Sequence, residues 1–281
     1  MITSTRIGRY GNTCNSLFQF AAVLGMSKKL GLNYCIPYNE SYYDVNYECS
    51  NNSIFDGFDL DVPVLDPSEL NFKEVHFPFE YQDIKVDDFT DMFGYFQSEK
   101  YFENALTEIR SQLQFKDSVK EVVDKKIADD TYPNPDNCTA IHIRLGDYTK
   151  KRAYHPAQPA DYWSRASKLA ASKYYMIFSD DIATARKMFG DVKTYYSEED
   201  NPFSALYHMS LCRNNIICNS SFGWWGAWLG EQNNPLTHKT IVAPKLWFGP
   251  AHNYNSKDII PTFFVKPFKT SYSNPSTSIL I

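Results

Sequence analysis

The chain after residue 137 alternates short apolar segments with segments of helical periodicity, and this alternation limits the fold more than any other feature. The apolar segments, which suit buried strands, cover residues 139–143, 174–178, 192–196, 215–218 and 240–243. The helical segments cover residues 159–172, 182–189, 202–213 and 222–230. Such alternation predicts a parallel sheet wound with helices, which is an α/β fold.

Polar side chains collect where three of these predicted strands end. The clusters are Arg144-Leu145-Gly146-Asp147, Ser179-Asp180-Asp181 and Asn219-Ser220-Ser221. Because parallel strands end at one rim of a sheet, the clusters should lie together where open α/β folds bind ligands. A guanidinium and helix N-terminal hydroxyls suit a diphosphate, whereas the aspartates suit donors such as ribose hydroxyls or a guanine N–H edge.

His142 and Arg144 are two residues apart on the first of these strands and therefore share one face. The planar fork of Arg144 suits a phosphate. The same residues also fit a buried Arg144–Asp147 ion pair beside a hydrogen-bonded histidine. This stretch by itself leaves both interpretations open.

The first half of the chain is less regular. A glycine-bearing loop, residues 6–13, precedes a helix predicted from Asn15 to Leu30, which Gly31 should end. A strand is expected over residues 32–38, and Ser98 should cap a further helix.

Residues 39–93 give no confident helix and contain Asp59-Leu60-Asp61, a DxD spacing that a solvated loop explains best. The stretch 130–137 has the composition of a linker. We therefore expect two domains, residues 1–131 and 132–281.

Composition excludes several classes of protein. A net charge of −5 and a pI near 5.7 argue against a nucleic-acid binder, so a polyphosphate ligand needs a local basic cluster. The six cysteines show no CxxC pair or zinc spacing, which favours reduced, buried thiols.

No apolar run has the length of a membrane span and no signal peptide is evident, so a soluble, cytoplasmic chain is expected. No metal motif or nucleophile elbow is present either, which favours a metal-free transferase using arginine against a leaving diphosphate.

Six motifs together resemble a known family. They are Gly8-Arg9-Tyr10-Gly11-Asn12 with Leu17-Phe18-Gln19-Phe20, the segment 94–102, His142-Ile143-Arg144-Leu145-Gly146-Asp147-Tyr148, Phe178-Ser179-Asp180-Asp181, the segment 220–227, and the segment 243–248. In this order they resemble the α-1,2-fucosyltransferase family, glycosyltransferase family 11. The resemblance spans most of the chain.

The resemblance implies a GT-B architecture of two Rossmann-like domains, the N-terminal one on the acceptor side and the C-terminal one binding a GDP-sugar. It implies inverting transfer of L-fucose from GDP-fucose to a galactose-containing glycan, at O-2, with no metal. By position, Arg144 would hold the diphosphate, His142 would face the nucleotide or fucose, and Asp147 is a candidate for the base. The remaining implied donor-site residues are Gly11 and Asn12 across the cleft, Asp180 or Asp181 near guanine or ribose, Ser220 and Ser221 at the β-phosphate, and Asn219 and Phe222 beside them.

The chain departs from the family's sequence pattern at two places, and two alternative functions stay open. The N-terminal loop carries an apparent insertion of two or three residues after Asn12, and the loop after Tyr148 is rich in lysine. The alternatives are a transferase of the same fold with another donor or linkage, and a non-catalytic glycan-binding protein. The intact set of His142, Arg144, Asp147 and Ser221 argues against the second.

Overall fold

The computed structural model describes residues 1–40, 42–44, 49–66, 71–129, 131–231, 239–252 and 254–266. The chain divides into two compact units. Unit 1 comprises Met1–Lys116 and Tyr254–Pro261, and unit 2 comprises Asp117–Asn253 and Thr262–Ile281. The division into functional domains at residues 131 and 132 stays a prediction.

Unit 1 contains five strands and three α-helices among the described residues. The strands are β1 (Ile2–Thr3), β2 (Tyr42–Asp44), β3 (Cys49–Asn51), β4 (Lys73–His76) and β5 (Thr90–Phe93). The helices are α1 (Thr13–Leu30), α2 (Ile54–Gly57) and α3 (Leu106–Gln112). β1, β5 and β4 pair in parallel in that order, whereas β2 and β3 form a separate antiparallel pair.

In unit 1, the predicted helix cap and helix end are confirmed, whereas the predicted strand is not. Gly31 ends α1 in the left-handed region at φ 66°. Ser98 accepts from the Lys100 N–H as predicted, but two 3₁₀ turns separate it from α3. The strand predicted over residues 32–38 is wrong, because that segment makes only isolated bridges, at Tyr34 and Ile36.

Unit 2 contains the larger sheet. Its strands are β6 (Cys138–Ile143), β7 (Tyr174–Ser179), β8 (Thr194–Tyr196), β9 (Asn214–Ile217) and β10 (Ile241–Val242). Its helices are α4 (Asp117–Ile127), α5 (Gly146–Lys150), α6 (Ala160–Leu169), α7 (Ile182–Phe189), α8 (Pro202–Leu211) and α9 (Ser221–Glu231). All five strands are parallel in the order β10-β9-β6-β7-β8, which confirms the predicted wound sheet.

Both faces of this sheet are covered by helices. Ile141 and Ile143 of β6 pack in one layer with Trp163 of α6. Ala140 belongs to the opposite layer, with Met209 of α8. Burial of alternate residues on both faces explains why β6 is buried along its whole length.

The strand order places a topological switch point beside β6. The chain runs outward from β6 through β7 to β8 and then returns to β9 on the other side of β6. In open α/β sheets, ligands bind outside the carboxyl ends of strands at such a reversal. The crevice at the ends of β6 and β9 is therefore the position at which this fold favours a ligand.

Two further expectations concern thiols and membranes. Five cysteines are free and buried, as predicted, namely Cys14, Cys35, Cys138, Cys212 and Cys218. The side chain of Cys49 lies outside the described residues. Across the ranges given above, no helix combines the length and apolar character needed to cross a membrane.

Candidate active site

Arg144 lies just past the end of β6 and is held by two carboxylates. Its Nε is 2.8 Å from Asp147 Oδ1 and 3.0 Å from Asp180 Oδ2, and its side chain is 23% exposed. Burial lowers the pKa of the guanidinium, but Asp180 and Asp147 outweigh that effect and raise it. The ion pair that the sequence left open is thus present. Both of these contacts use Nε. A bidentate contact with an anion also uses the terminal nitrogens of the guanidinium, which these two contacts do not occupy.

Asp180 organises the loop that follows β6. Its two carboxylate oxygens accept from the Leu145 N–H at 2.8 Å and the Gly146 N–H at 3.1 Å. A Cβ at Gly146 would lie 2.7 Å from Asp180 Oδ2, so a side chain at this position would displace the carboxylate from the loop. Asp180 therefore binds the loop itself, and its approach to guanine or ribose stays a prediction.

Asp181, the neighbouring aspartate, acts at the start of a helix. Its carboxylate accepts from the Thr184 N–H at 2.9 Å and caps α7. This hydrogen bond lowers the pKa of the Asp181 carboxyl group. The structure thus gives Asp181 a capping role.

His142 lies beneath the rim and not at its surface. Its side chain is buried, with Nδ1 3.4 Å from Cys218 Sγ and its ring centroid 5.1 Å from that of Phe222. Burial, with a smaller effect of Arg144, lowers the pKa of His142 to about 3. The imidazole is therefore neutral, and it packs against the first turn of α9.

The N-terminus of α9 meets the end of β9 at the same rim. Ser220 is buried and its Oγ accepts from the Phe222 N–H at 3.3 Å, while Ser221 begins the helix and is half-buried. A helix N-terminus carries backbone donors and a partial positive charge that favour an anion. Arg144 follows β6, and Ser220 and Ser221 follow the neighbouring strand β9. The three residues therefore lie at one rim of the sheet, as predicted.

Asn219 supports this rim through its side chain. Its Oδ1 accepts from Gln158 Nε2 at 2.9 Å, and its Nδ2 donates to the Trp247 carbonyl at 2.9 Å. The side chain is buried. Asn219 therefore fixes the turn before α9 from within the protein.

Tyr148 and Gln158, which sequence analysis did not assign to the site, also contribute to it. The Tyr148 hydroxyl donates to the Asn219 carbonyl at 2.9 Å, which connects the loop after β6 to the turn before α9. Its ring stacks on His155 at 4.6 Å, and burial lowers the pKa of His155 to about 4. Tyr148 belonged to a recognised motif, but Gln158 carried no local signal because its partner is 61 residues away.

Gly11 and Asn12 belong to unit 1. Gly11 has φ +84°, and its carbonyl accepts from Asn51 Nδ2 at 3.2 Å. Asn12 precedes α1, and its backbone carbonyl accepts from the Asn15 N–H at 2.7 Å. Their predicted place in the donor site stays a prediction.

Side chains that could bind a metal ion are scattered in the part of the chain that the structure describes. No cluster of three or more His, Cys, Asp or Glu side chains suited to a metal ion occurs among those residues. The DxD aspartates Asp59 and Asp61 are exposed in a loop.

Comparison with known proteins identifies the family. The family described as Glycosyl transferase family 11 matches residues 2–247. The chain belongs to glycosyl transferase family 11. The resemblance drawn from the six motifs is therefore confirmed.

Two curated relatives of this family 11 protein come from Escherichia coli. The O-antigen biosynthesis glycosyltransferase WbnK is 38% identical over 132 residues, which is 43% of this chain and 42% of the relative. An alpha-1,2-colitosyltransferase is 27% identical over 188 residues, which is 62% of this chain and 61% of the relative. The chain thus spans less than two thirds of either relative.

Solved structures establish the fold. The fucosyltransferase NodZ from Bradyrhizobium superposes with a TM-score of 0.51 at 12% identity, covering 80% of this chain and 91% of NodZ. POFUT1 in its apo form gives a TM-score of 0.50 at 11% identity, covering 85% of this chain and 96% of POFUT1. The predicted GT-B-like α/β fold with Rossmann-like domains is confirmed.

Proposed function

We propose that this family 11 glycosyltransferase transfers L-fucose from GDP-fucose to O-2 of a terminal galactoside, inverting the anomeric carbon without a metal ion. The observation that carries the proposal is the switch point of the unit 2 sheet. There Arg144 and the N-terminus of α9 end adjacent strands β6 and β9. An arginine fork beside helix N–H groups is suited to a nucleoside diphosphate.

Relatives support the choice of donor and linkage. NodZ has been crystallised after soaking with GDP-fucose, and that structure has a TM-score of 0.50 to this chain at 13% identity. One curated relative is named for an alpha-1,2 linkage. Both observations concern other proteins, and they support GDP-fucose and O-2 as the first donor and linkage to test.

In the proposed reaction, the acceptor hydroxyl oxygen bonds to the anomeric carbon as the bond from that carbon to the diphosphate breaks. GDP leaves with the bonding electron pair, and Arg144 with the Ser220 and Ser221 region stabilises its charge. Asp147 accepts the proton of the acceptor hydroxyl. Asp180 keeps the Arg144 loop in place through its contacts with the backbone of that loop.

The test is incubation of the purified chain with GDP-fucose and N-acetyllactosamine in EDTA, followed by measurement of GDP release and NMR of the product. The expected product carries α-fucose at O-2 of galactose, at a rate that added magnesium or manganese leaves unchanged. Transfer that requires a divalent ion, or fucose at another position, would contradict the proposal.

A second candidate donor follows from one relative. Because a relative 27% identical over 188 residues is an alpha-1,2-colitosyltransferase, a GDP-linked colitose should be assayed beside GDP-fucose. Colitose lacks a hydroxyl that fucose carries, so a site that hydrogen-bonds this hydroxyl would discriminate strongly between the two sugars. Higher kcat/KM with the colitose donor would favour this second function.

A further inference from the structure

Three aromatic rings lie past the carboxyl ends of the three parallel strands of unit 1. Tyr10 follows β1, Phe79 follows β4 and Tyr95 follows β5. A fourth ring, Tyr254, comes from the segment that returns to unit 1 near the end of the chain. Parallel strands end at one rim of a sheet, so the topology of unit 1 brings rings from separate loops together there.

These four rings contact one another in series. The centroids of Tyr10 and Tyr95 are 4.4 Å apart with the planes stacked, and those of Tyr95 and Phe79 are 6.1 Å apart. Phe79 and Tyr254 stack at 4.8 Å with an interplanar angle of 11°. We call these four residues the aromatic strip.

The strip is accessible and its support is rigid. Tyr254 is 47% exposed, and the other three rings are half-buried. The buried Gln19 side chain donates from Nε2 to the carbonyl of Tyr10 at 3.0 Å and to that of Gly94 at 3.3 Å. One amide therefore fixes the loops that carry Tyr10 and Tyr95, so these rings are positioned before any ligand arrives.

Two ion pairs lie next to the strip, and the chain neighbours of Tyr10 and Phe79, Arg9 and Glu80, also carry opposite charges. Arg6, whose guanidinium lies 4.4 Å from the ring centroid of Phe93, pairs with Glu74. Lys100 pairs with Asp258, four residues beyond Tyr254. Paired charges give little net field, so this surface suits an uncharged ligand with apolar faces and not a nucleotide or a charged peptide.

We propose that the aromatic strip binds the acceptor glycan by stacking its sugar rings. One face of a galactopyranose carries mainly C–H groups, which pack on aromatic rings while the hydroxyls stay available for hydrogen bonding. Because Phe79 and Tyr254 stack on each other, the face of Tyr254 that is turned away from Phe79 is the one offered to a sugar ring. The inference rests on the proposed function, because it assigns the second substrate of the same reaction.

The test compares Phe79→Ala and Tyr254→Ala with the wild type, using N-acetyllactosamine as acceptor at saturating GDP-fucose. Loss of one stacked ring should raise the acceptor KM about 3- to 10-fold and leave the donor KM and the affinity for GDP unchanged. Tyr254→Phe should restore the wild-type value, since the ring is retained. Phe89→Ala is the matched control, because Phe89 is 45% exposed in the same unit but lies at the amino end of β5.

Each outcome decides the inference separately from the proposed function. Unchanged acceptor KM in Phe79→Ala and Tyr254→Ala with wild-type transfer overturns the aromatic strip and leaves the transferase intact. Should the wild type show no transfer, saturation-transfer NMR with N-acetyllactosamine takes its place. A signal lost in Tyr254→Ala supports the strip, and a signal equal in both proteins, or absent from both, overturns it. A change of oligomeric state in these variants, without a change in glycan binding, would instead assign the surface to a second copy of the chain.

Discussion

Arg144 shows why the two interpretations of the central motif do not exclude each other. Its Nε is occupied by Asp147 and Asp180, yet the side chain stands at the rim of the sheet and is 23% exposed. The two carboxylates hold the guanidinium at the end of β6, next to the switch point of the sheet. In the proposed reaction, these ion pairs hold Arg144 ready to bind the diphosphate.

Replacing Arg144 should therefore affect both activity and stability. Arg144→Ala should lower kcat/KM for the donor by at least about 100-fold, because charge-assisted hydrogen bonds contribute about 1.5–3 kcal/mol each. The free energy of unfolding should fall by only about 1–3 kcal/mol, since Asp180 keeps its backbone donors and the site is partly exposed. Steady-state kinetics and urea unfolding measure the two effects.

Arg144→Lys, which keeps the charge without the planar guanidinium, should be intermediate in kcat/KM. Loss of stability with donor kinetics unchanged would reduce Arg144 to a structural residue.

Asp147 and Asp180 form a matched pair for testing the base. Both contact the same Nε, so either change to Asn weakens the hold on Arg144. If Asp147 accepts the acceptor proton, Asp147→Asn should lower kcat by about 100-fold or more and remove the acidic limb of the pH–rate profile. Asp180→Asn should act mainly on donor KM and stability and should keep that limb. Equal pH profiles in the two variants would show that Asp147 only positions Arg144.

His142 should make stability depend on pH. Its pKa is about 3 in the folded protein against 6.5 when unperturbed, so between these values only the unfolded chain binds the proton. The contribution of neutral His142 to the free energy of unfolding is complete above pH 6.5. It is lost as the pH falls toward 3, by up to about 1.4 kcal/mol per pH unit. Urea unfolding of His142→Gln between pH 7 and pH 4 should give a shallower decline than the wild type. Parallel declines would mean that His142 is protonated in the folded protein.

At the scale of elements, α9 packs two of its glycines, Gly223 and Gly226, against different kinds of neighbour. A Cβ at Gly223 would lie 2.7 Å from His142 Nδ1 and 3.0 Å from Ile217 Cβ, both on the rigid sheet. A Cβ at Gly226 would meet the flexible end of Met209, with Cε at 2.8 Å. The first contact cannot relax without moving a strand, whereas a methionine side chain adapts.

These contacts predict different costs for the same substitution. Gly223→Ala should lower the free energy of unfolding by about 1–3 kcal/mol, because overpacking displaces the sheet. Gly226→Ala should stay within about 1 kcal/mol of the wild type, since the gain in helix propensity offsets the shift of Met209. Chemical denaturation of both variants measures the difference. A cost at Gly226 as large as that at Gly223 would contradict this packing.

The elements also show what the sequence could predict. Strands of unit 2 were identified because they are buried on both faces and read as apolar runs, as β6 does. Strand β4 was missed because Lys73–His76 is largely exposed and charged, so it carries no apolar alternation. Three rim clusters were predicted from strand ends, whereas the Gln158–Asn219 bridge was not, because side-chain hydrogen bonds between distant segments leave no local pattern.

At the scale of the whole molecule, the family and the fold are established, whereas the reaction and its substrates are proposed. The match to glycosyl transferase family 11 establishes the family, and the structural likeness to NodZ establishes a GT-B-like fold. Substrate choice depends on a few contacts at the rims of the sheets, which change more readily than the fold. The proposed donor site at the carboxyl ends of β6 and β9 in unit 2, and the aromatic strip in unit 1, are therefore the places where specificity should be tested.

The most direct test of the donor site is a calorimetric titration of the purified chain with GDP and GDP-fucose in EDTA, beside UDP and ADP. We expect saturable binding of GDP and GDP-fucose without metal and much weaker binding of the two control nucleotides. Equal affinity for all the nucleotides would contradict the GDP-sugar assignment, and absence of binding by the folded chain would contradict the donor site itself.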